Sequence, residues 1–309
     1  MLLSKNSIPV WAAVIGNSTA GPSGEVIDVL TLSDLAQFGS GSLVNCAKVL
    51  LGYGISVMAI RLGNFDTLES LPRIPTVVIY PETSTAIDSF AAACQSNQFL
   101  GIIDFVGDFE SLQSARASSS GYGTKSRFLA IAFPAITVGS EVQYLSSHLG
   151  SLICRQVQLG QPFDGEFMRG ATGVTVALLP EDYDWLIQHG VVTVTWPNLL
   201  IRGFSNSLMY GQTTQDTPLM RTVVENSIIQ EVRGYLSTQI GTPVNLETAR
   251  GMASIISASL AAREDINGGT ATLVENLCTF TPTSATLAFR IDASLKVGTT
   301  LTVNLTFQP

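Results

Sequence analysis

The sequence predicts a mixed α/β fold, in which a mixed and largely doubly wound sheet forms a compact core flanked by helices. Short apolar, β-branched runs alternate with amphipathic helical segments from residue 10 to residue 196. From about residue 285 the pattern changes to alternation of apolar and polar side chains, which is the period of half-buried strands. The 309 residues suffice for a substantial core in one large domain or two lobes.

Strands and helices alternate along the first two thirds of the chain. One helix begins at Ser42, a good capping residue, and ends before Gly54, while Asp108 is placed to cap a short helix. Because short strands separated by helices form parallel or mixed sheets, these segments predict one doubly wound sheet. The predicted strands cover residues 10–15, 55–61, 76–80, 99–104, 127–133, 172–179 and 191–196, and the other predicted helices cover 85–95, 140–159 and 181–189.

Two longer helices and two strands are predicted in the C-terminal third. The helices cover residues 217–239, where a proline occupies the first turn, and 246–263. The segment TLAFRIDAS places Leu287, Phe289 and Ile291 on one face of a strand.

The last predicted strand, TTLTVNLTF, ends two residues before the final proline. Its apolar face carries Leu301, Val303, Leu305 and Phe307, and its polar face carries Thr300, Thr302, Asn304 and Thr306. A strand with so regular a pattern needs a sheet to join, its own or that of a neighbouring chain.

The first predicted strand runs into a glycine-rich loop that begins like a phosphate-binding loop. Gly16 and Gly21 have the P-loop spacing, but Pro22 and Ser23 stand where that loop has Lys and then Ser or Thr. Proline has neither a positive charge nor an N–H for a phosphate. We therefore interpret the glycines as shaping a turn.

Composition excludes some classes of function and favours another. Charged residues make up 13%, against about 25% in an ordinary soluble domain, and the net charge is −8 with no block of Lys or Arg. A basic surface for nucleic acid is not expected. No apolar run reaches the roughly 20 residues of a membrane helix, so direct membrane insertion is not expected either. Few charges combined with 46% hydrophobic residues indicate surfaces covered in an obligate assembly.

The four cysteines, Cys46, Cys94, Cys154 and Cys278, form no C-x-x-C pair, so neither a zinc site nor a redox motif is predicted. The N-terminus has a short apolar run after Asn6 and Pro9 and is a poor signal peptide. We expect reduced core thiols in a cytosolic product.

No catalytic, cofactor-binding or metal site is predicted. His148 lies within a predicted helix and His189 at the end of another, where imidazole suits the helix dipole. Asp104 and Asp108 follow a buried strand, as a magnesium pair in a hydrolase would, but Asp108 is better explained as a cap. Arg202 follows a strand and is suited either to binding an anion or to forming a salt bridge with another subunit.

The acidic cluster Glu181, Asp182 and Asp184 is better explained by the helix dipole than by a metal.

The N-terminal stretch resembles the start of contractile tail sheath proteins, which occur in phages with contractile tails and in related injection machines. In those proteins a short strand is followed by G-x-x-x-x-G-P, a hydrophobic segment with Thr or Ser, a Phe-Gly pair, a helix and a strand. The C-terminal third is similar too, with Arg202 after a strand, two long helices and paired terminal strands. The matching N-terminal residues are Val14-Ile15-Gly16, Gly21-Pro22, Val29 to Asp34, Phe38-Gly39, the helix from Ser42 and VMAIRLG at 57–63.

The resemblance implies a structural protein without cofactors and not an enzyme. Its subunits form six-fold rings, stacked as a helical sleeve around a tail tube, and contraction drives the tube through the host envelope. The implied partners are other copies, the tube protein, and baseplate and neck or terminator proteins. The implied location is the virion tail, after assembly in the host cytoplasm.

The resemblance also implies a domain organisation with exchanged arms. Residues 1–20 form an N-terminal arm and first strand, 21–75 an N-terminal sheath subdomain, 76–200 a central α/β region and 201–309 a C-terminal domain. Within the last, about 285–309 form an arm that donates a β-strand to a neighbouring subunit. Leu301, Val303, Leu305 and Phe307 are then the inter-subunit strand.

By position, the helix at 246–263 matches the one that grips the tube in sheath proteins. Its many small residues allow close approach, and Arg250, Arg263 and Glu264 are the candidate tube-facing charges. The alternative is that the small residues only pack against the preceding helix. At the level of function, two alternatives remain open: another virion component, of baseplate or tube, or a cytosolic α/β metal-dependent enzyme.

Overall fold

A computed structural model describes the chain in two compact units. The large unit consists of the described residues from 10 to 156 and from 170 to 223, and the C-terminal unit of those at 157–159 and from 224 onward. The four-part division expected from the sequence is finer than these two units and stays a prediction. The described residues are 10–82, 86–159, 170–194, 209–210, 212–215, 217, 219–239, 244–263, 266–281, 285–295 and 300–307.

An eight-stranded sheet forms the centre of the large unit. The strands are β1 (Trp11–Gly16), β2 (Val26–Val29), β3 (Ser56–Arg61), β4 (Val77–Tyr80), β5 (Gly101–Asp104), β6 (Leu129–Ala132), β10 (Val191–Val194) and β11 (Met209–Tyr210). Their order in the sheet is β11-β10-β6-β5-β4-β1-β3-β2. All neighbours are parallel except at the two edges, where β2 and β11 run antiparallel.

Strands β1, β4, β5, β6 and β10 are buried at every position. Continuous apolar runs such as VVIY suit strands that are covered on both faces, which is why their sequences show no alternation. The predicted doubly wound sheet is confirmed.

Helices cover the two faces of this sheet. Val77 and Ile79 approach Gly150 on one face, while Val78 and Tyr80 belong to the apolar cluster on the other. The first face carries α1 (Ser42–Gly52) and α4 (Leu145–Leu159), and the second carries α2 (Ile87–Asn97), α3 (Phe109–Arg116) and α5 (Pro180–Gln188). Short 3₁₀ helices cover Leu32–Phe38, Phe65–Ser70, Gly121–Gly123 and Glu275–Leu277.

A small three-stranded sheet replaces the start of the predicted helix at 140–159. Strands β7 (Ile136–Val138) and β8 (Glu141–Gln143) form a hairpin, and α4 begins only at Leu145. The two-residue turn has Gly139 at φ +61, a conformation that favours a tight hairpin. Strand β9 (Ala171–Val174) pairs with β7 and ends before residue 179, so the predicted strand at 172–179 is wrong in extent and belongs to this sheet.

The C-terminal unit packs two helices with an antiparallel sheet. Helix α6 (Leu219–Ser237) contributes its residues from 224 onward, and α7 (Leu246–Ala261) packs on β12 (Ile266–Leu273). The central strand β14 (Ala285–Leu295) pairs with β12 and the short β13 (Thr279–Phe280) on one side and β15 (Thr300–Phe307) on the other. Both helices and the paired terminal strands were predicted, whereas β12 was not.

Candidate assembly surfaces

The terminal strand β15 is in continuous register with β14 of its own chain. Eight residue pairs run from Leu287↔Phe307 to Ser294↔Thr300. Leu301, Val303 and Leu305 are buried, Phe307 is half-buried, and the intervening polar side chains are exposed. The predicted two-residue period is confirmed, because the apolar side chains all point to one face.

The outer edge of β15 has no strand partner within the described residues. A free edge of this length presents a row of N–H and C=O groups to another chain. Exchange of this strand between subunits is not tested by a single chain and stays a prediction.

Asp292 of β14 accepts hydrogen bonds on the polar face of the C-terminal sheet, from Thr302 of β15 and from Arg290 of its own strand. Asp292 accepts from Thr302 Oγ1 at 2.6 Å and from Arg290 Nε at 2.9 Å. The hydrogen bond from Thr302 and then those from Arg290 lower the pKa of Asp292. These contacts favour one register of the terminal strand.

Helix α7 has one buried and one exposed face. Asn245 caps it by accepting from Thr248 N at 2.9 Å, and Ser257 Oγ accepts from Ala271 N of β12 at 2.8 Å. The buried positions are Ala249, Met252, Ala253, Ile256 and Leu260. The exposed face carries Gly251, Ser254, Ile255 and Ala258, with the Ile255 side chain at 46% exposure.

Ala249 and Ala253 of α7 thus pack inward, whereas Gly251, Ser254 and Ala258 leave a flat outer face, and a contact of this face with the tube stays a prediction.

The three predicted tube-facing charges have different positions. Arg250 is exposed and pairs with Glu275 at 2.6 Å. Arg263 is not at the surface: its side chain is 6% exposed and its guanidinium pairs with Glu231 of α6 at 2.7 Å and with Ser227 at 2.9 Å. A buried charge needs such partners, so Arg263 joins α6 to α7 and is wrong as a surface contact. Glu264 lies outside the described residues.

Comparison with solved structures shows which fold this is. A chain of the anti-feeding prophage baseplate structure matches 94% of this chain and 90% of its own length, with TM-score 0.68 and 10% identity. The sheath complex of an extracellular contractile injection system in its contracted state matches 97% and 88%, with TM-score 0.67 and 10% identity. The sheath tail protein of Desulfitobacterium hafniense matches 99% and 98%, with TM-score 0.66 and 7% identity.

The chain has the contractile sheath fold. Neither a protein-family model nor a curated protein matches the sequence, so the likeness is one of fold. The resemblance drawn from the N-terminal motifs and the terminal strands is confirmed at that level.

In this chain, a glutamate side chain fills the crevice in which an α/β sheet usually binds a ligand. The strand order reverses between β1 and β4, and the carboxylate of Glu82 lies just beyond these strand ends. Glu82 accepts from the backbone N–H of Asn17 at 2.6 Å, from the Asn17 amide and from Ser42 Oγ at the start of α1. A side chain of the protein thus occupies the position in which a phosphate would meet a helix N-terminus.

Glycine is required beside this carboxylate. A Cβ on Gly41, whose φ is +140, would lie 2.3 Å from the carbonyl oxygen of Asn17. In the glycine-rich loop itself, Gly21 has φ +92 and Gly24 has φ +74, conformations typical of turns, as the turn interpretation predicted.

Asp104 is a buried carboxyl at the end of β5. Its Oδ1 accepts from Ser146 N at 3.0 Å, and its Oδ2 accepts from Ser146 Oγ, so it caps the first turn of α4. Burial raises the pKa of Asp104 to about 7, although the hydrogen bonds from Ser146 act in the opposite direction. Sequence reasoning placed Asp104 beside Asp108, but the partner it contacts is 42 positions away.

Asp108, Asp182 and His189 have structural roles. Asp108 accepts from Ser111 N at 2.7 Å as the cap of α3, and Asp182 accepts from Leu179 N at 2.7 Å at the start of α5. His189 follows α5 and stacks on Trp185 with ring centroids 3.9 Å apart. Arg202 lies outside the described residues.

Within the described ranges, no group of three or more His, Cys, Asp or Glu side chains is arranged to hold a metal ion. The helices of that part of the chain include none with the length and apolar content to cross a membrane. Cys46, Cys94 and Cys154 are free and buried, and Cys278 is free and half-buried.

Proposed function

We propose that this chain is the structural subunit of a contractile sheath, which polymerises as stacked hexameric rings around a tail tube. The observation that carries the proposal is the match of 94–99% of the chain to the three structures above, two of them named as sheath. The role needs no catalytic step and no cofactor.

The terminal strand is the proposed link between subunits. Moving β15 from its own β14 to the β14 of a neighbour preserves all eight residue pairs and the bond from Thr302 to Asp292. Because the same hydrogen bonds form in both arrangements, exchange costs little pairing energy, as in domain swapping. A head-to-tail contact of this kind that does not close generates a helix.

Contraction then moves the subunits as rigid bodies while the exchanged strands hold them together. The driving free energy comes from new interface area, at about 25 cal/mol per Å² of apolar surface before costs.

The exposed face of α7 is the proposed contact with the tube. Gly251, Ser254 and Ala258 allow a close approach, and Ile255 and Arg250 supply one apolar and one charged contact. Baseplate and neck or terminator proteins are the proposed partners at the two ends of the sleeve. The proposed location is the tail of a virion or injection machine, with assembly in the host cytoplasm and delivery through the host envelope.

One observation favours a second candidate, a baseplate component: the matching chain with TM-score 0.68 comes from a baseplate structure. Electron microscopy of the purified chain, with and without tube protein, separates the two. We expect long sleeves of constant width. Discrete closed rings would favour the baseplate, and a small soluble oligomer with bound metal or nucleotide would favour an enzyme.

A disulfide tests the strand exchange directly. Arg290 and Asn304 are exposed and directly opposite each other in β14 and β15, within the reach of a disulfide between neighbouring strands. After oxidation of assembled Arg290→Cys/Asn304→Cys sleeves, denaturing gels should show a ladder of linked chains. Only monomers with an internal disulfide would mean that β15 stays on its own chain. Each single cysteine variant is the matched control.

A further inference from the structure

A polar cleft of about 990 Å³ lies on the α1 and α4 face of the large unit. One wall is formed by α1 with Lys48 and Tyr53, and the other by β8 and α4 with Val142 and Arg155. The side chain of Val142 is 66% exposed, so the rim of the cleft offers an apolar contact beside its charges.

The floor of the cleft is held in place by a histidine. His148 Nε2 donates to Gln143 Oε1 at 2.7 Å, so its Nδ1 accepts from the Tyr53 hydroxyl at 3.2 Å. Burial lowers the pKa of His148 to about 4, and the ring is neutral at physiological pH. The cleft is therefore preformed, and its charge comes from other residues.

The cleft carries a positive charge in an acidic chain. Lys48 and Arg155 are its cations and Glu141 its acid, whereas the whole chain has a net charge of −8. Within the described residues neither cation forms an ion pair. The cleft thus complements an acidic surface, and other copies of this chain offer such surfaces.

The acidic first turn of α5 fits this cleft in chemistry. Glu181 and Asp184 are exposed and three positions apart, so they share one side of the helix. The neighbouring Leu179 is 59% exposed and matches Val142 as an apolar contact. Asp182 is already used to cap α5.

The two surfaces lie on different parts of the sheet. The cleft is on the α1 and α4 face, where α1 packs on β1 and β3, while α5 is on the opposite face and packs on β10 toward the other edge. A contact between such surfaces is head-to-tail and generates rings or helical arrays.

We propose that the α5 turn of one copy docks in the cleft of a second copy, with Glu181 and Asp184 facing Lys48 and Arg155. The inference rests on the proposed sheath function, because a self-assembling chain brings the two surfaces together. Exposed charge pairs are screened by salt, so this contact should weaken as ionic strength rises.

The test is a charge swap. Lys48→Glu/Arg155→Glu should reduce the assembled fraction, measured by sedimentation and electron microscopy, at least tenfold. Adding Glu181→Lys/Asp184→Lys in the same chain should restore assembly. Lys125→Glu and Glu110→Lys, which reverse exposed charges elsewhere, are the matched controls, and circular dichroism checks that each variant is folded.

Each outcome decides the proposal. Normal assembly of the cleft variant would overturn it, while wild-type sleeves would leave the sheath function standing. A defective cleft variant that the α5 reversal does not restore would overturn α5 as the occupant. The wild type could also associate without forming sleeves. If the cleft reversal then weakens that association and the α5 reversal restores it, the docking is supported and the sheath function fails. A wild type that stays monomeric would overturn both.

Discussion

Arg263 and Glu231 form a buried ion pair of 2.7 Å that joins α7 to α6, with side-chain exposures of 6% and 11%. Ser259 Oγ donates to the second carboxylate oxygen, and Arg263 donates to Ser227. Removing one partner leaves an unpaired buried charge. We expect Arg263→Met to lower the free energy of unfolding of the C-terminal unit by about 3–5 kcal/mol, measured by urea denaturation.

The double variant Arg263→Met/Glu231→Leu should lose much less than the sum of the single changes, since neither charge is then stranded. Arg250→Met removes an exposed pair and should change stability by only about 0–1 kcal/mol. Equal losses for the buried and exposed pairs would contradict this account.

Asp104 should make stability fall as pH rises. Its pKa in the folded chain is about 7, raised by burial from the usual value of 3.8. Between those values the folded chain binds more protons than the unfolded chain, so unfolding becomes easier as pH increases from about 4 to about 7. The full effect is on the order of 4 kcal/mol and is constant above that window.

Asp104→Asn should flatten this slope, as measured by thermal unfolding at several pH values. Asp108→Asn is the control, because that exposed cap has a pKa below its usual range. A slope that persists in Asp104→Asn would assign the effect to another group. Substituting both residues should leave assembly and contraction intact, and loss of contraction in a folded double variant would reveal a metal-dependent step.

Deletion of residues 299–309 removes β15. The large unit has its own core and should keep its fold, whereas β14 loses the partner for residues 287–294. We expect a folded chain that no longer forms sleeves, as seen by electron microscopy and sedimentation. A truncated chain that still polymerises would make β15 an ordinary internal strand.

Arg250 is the accessible charge on the proposed tube-facing side of α7. Arg250→Glu should leave polymerisation intact but yield empty or prematurely contracted sleeves, because it reverses a contact repeated in every subunit. The measurement is the fraction of sleeves that enclose a tube. Glu275→Gln, which leaves Arg250 unpaired, is the control; normal filling after reversal would place the tube contact elsewhere.

The hydrophobic pattern by itself determined most of the secondary structure. VVIY and GIID are buried on both faces, and the alternation from Thr300 to Phe307 predicts both the last strand and its buried side. The cap at Asp108 was equally predictable, because its hydrogen-bond partner is three positions away. These features depend on neighbours along the chain, which a sequence shows directly.

Only the tertiary structure decided the features that join distant positions. Arg263 is buried because Glu231, 32 positions earlier, faces it, and the switch-point crevice is filled because Glu82 returns to Asn17 across 65 positions. The hairpin at 136–143 and strand β12 likewise depend on sheet partners that periodicity does not specify. A charge or a strand edge has no fixed place until its partner is known, and the energy of burying it is set by that partner.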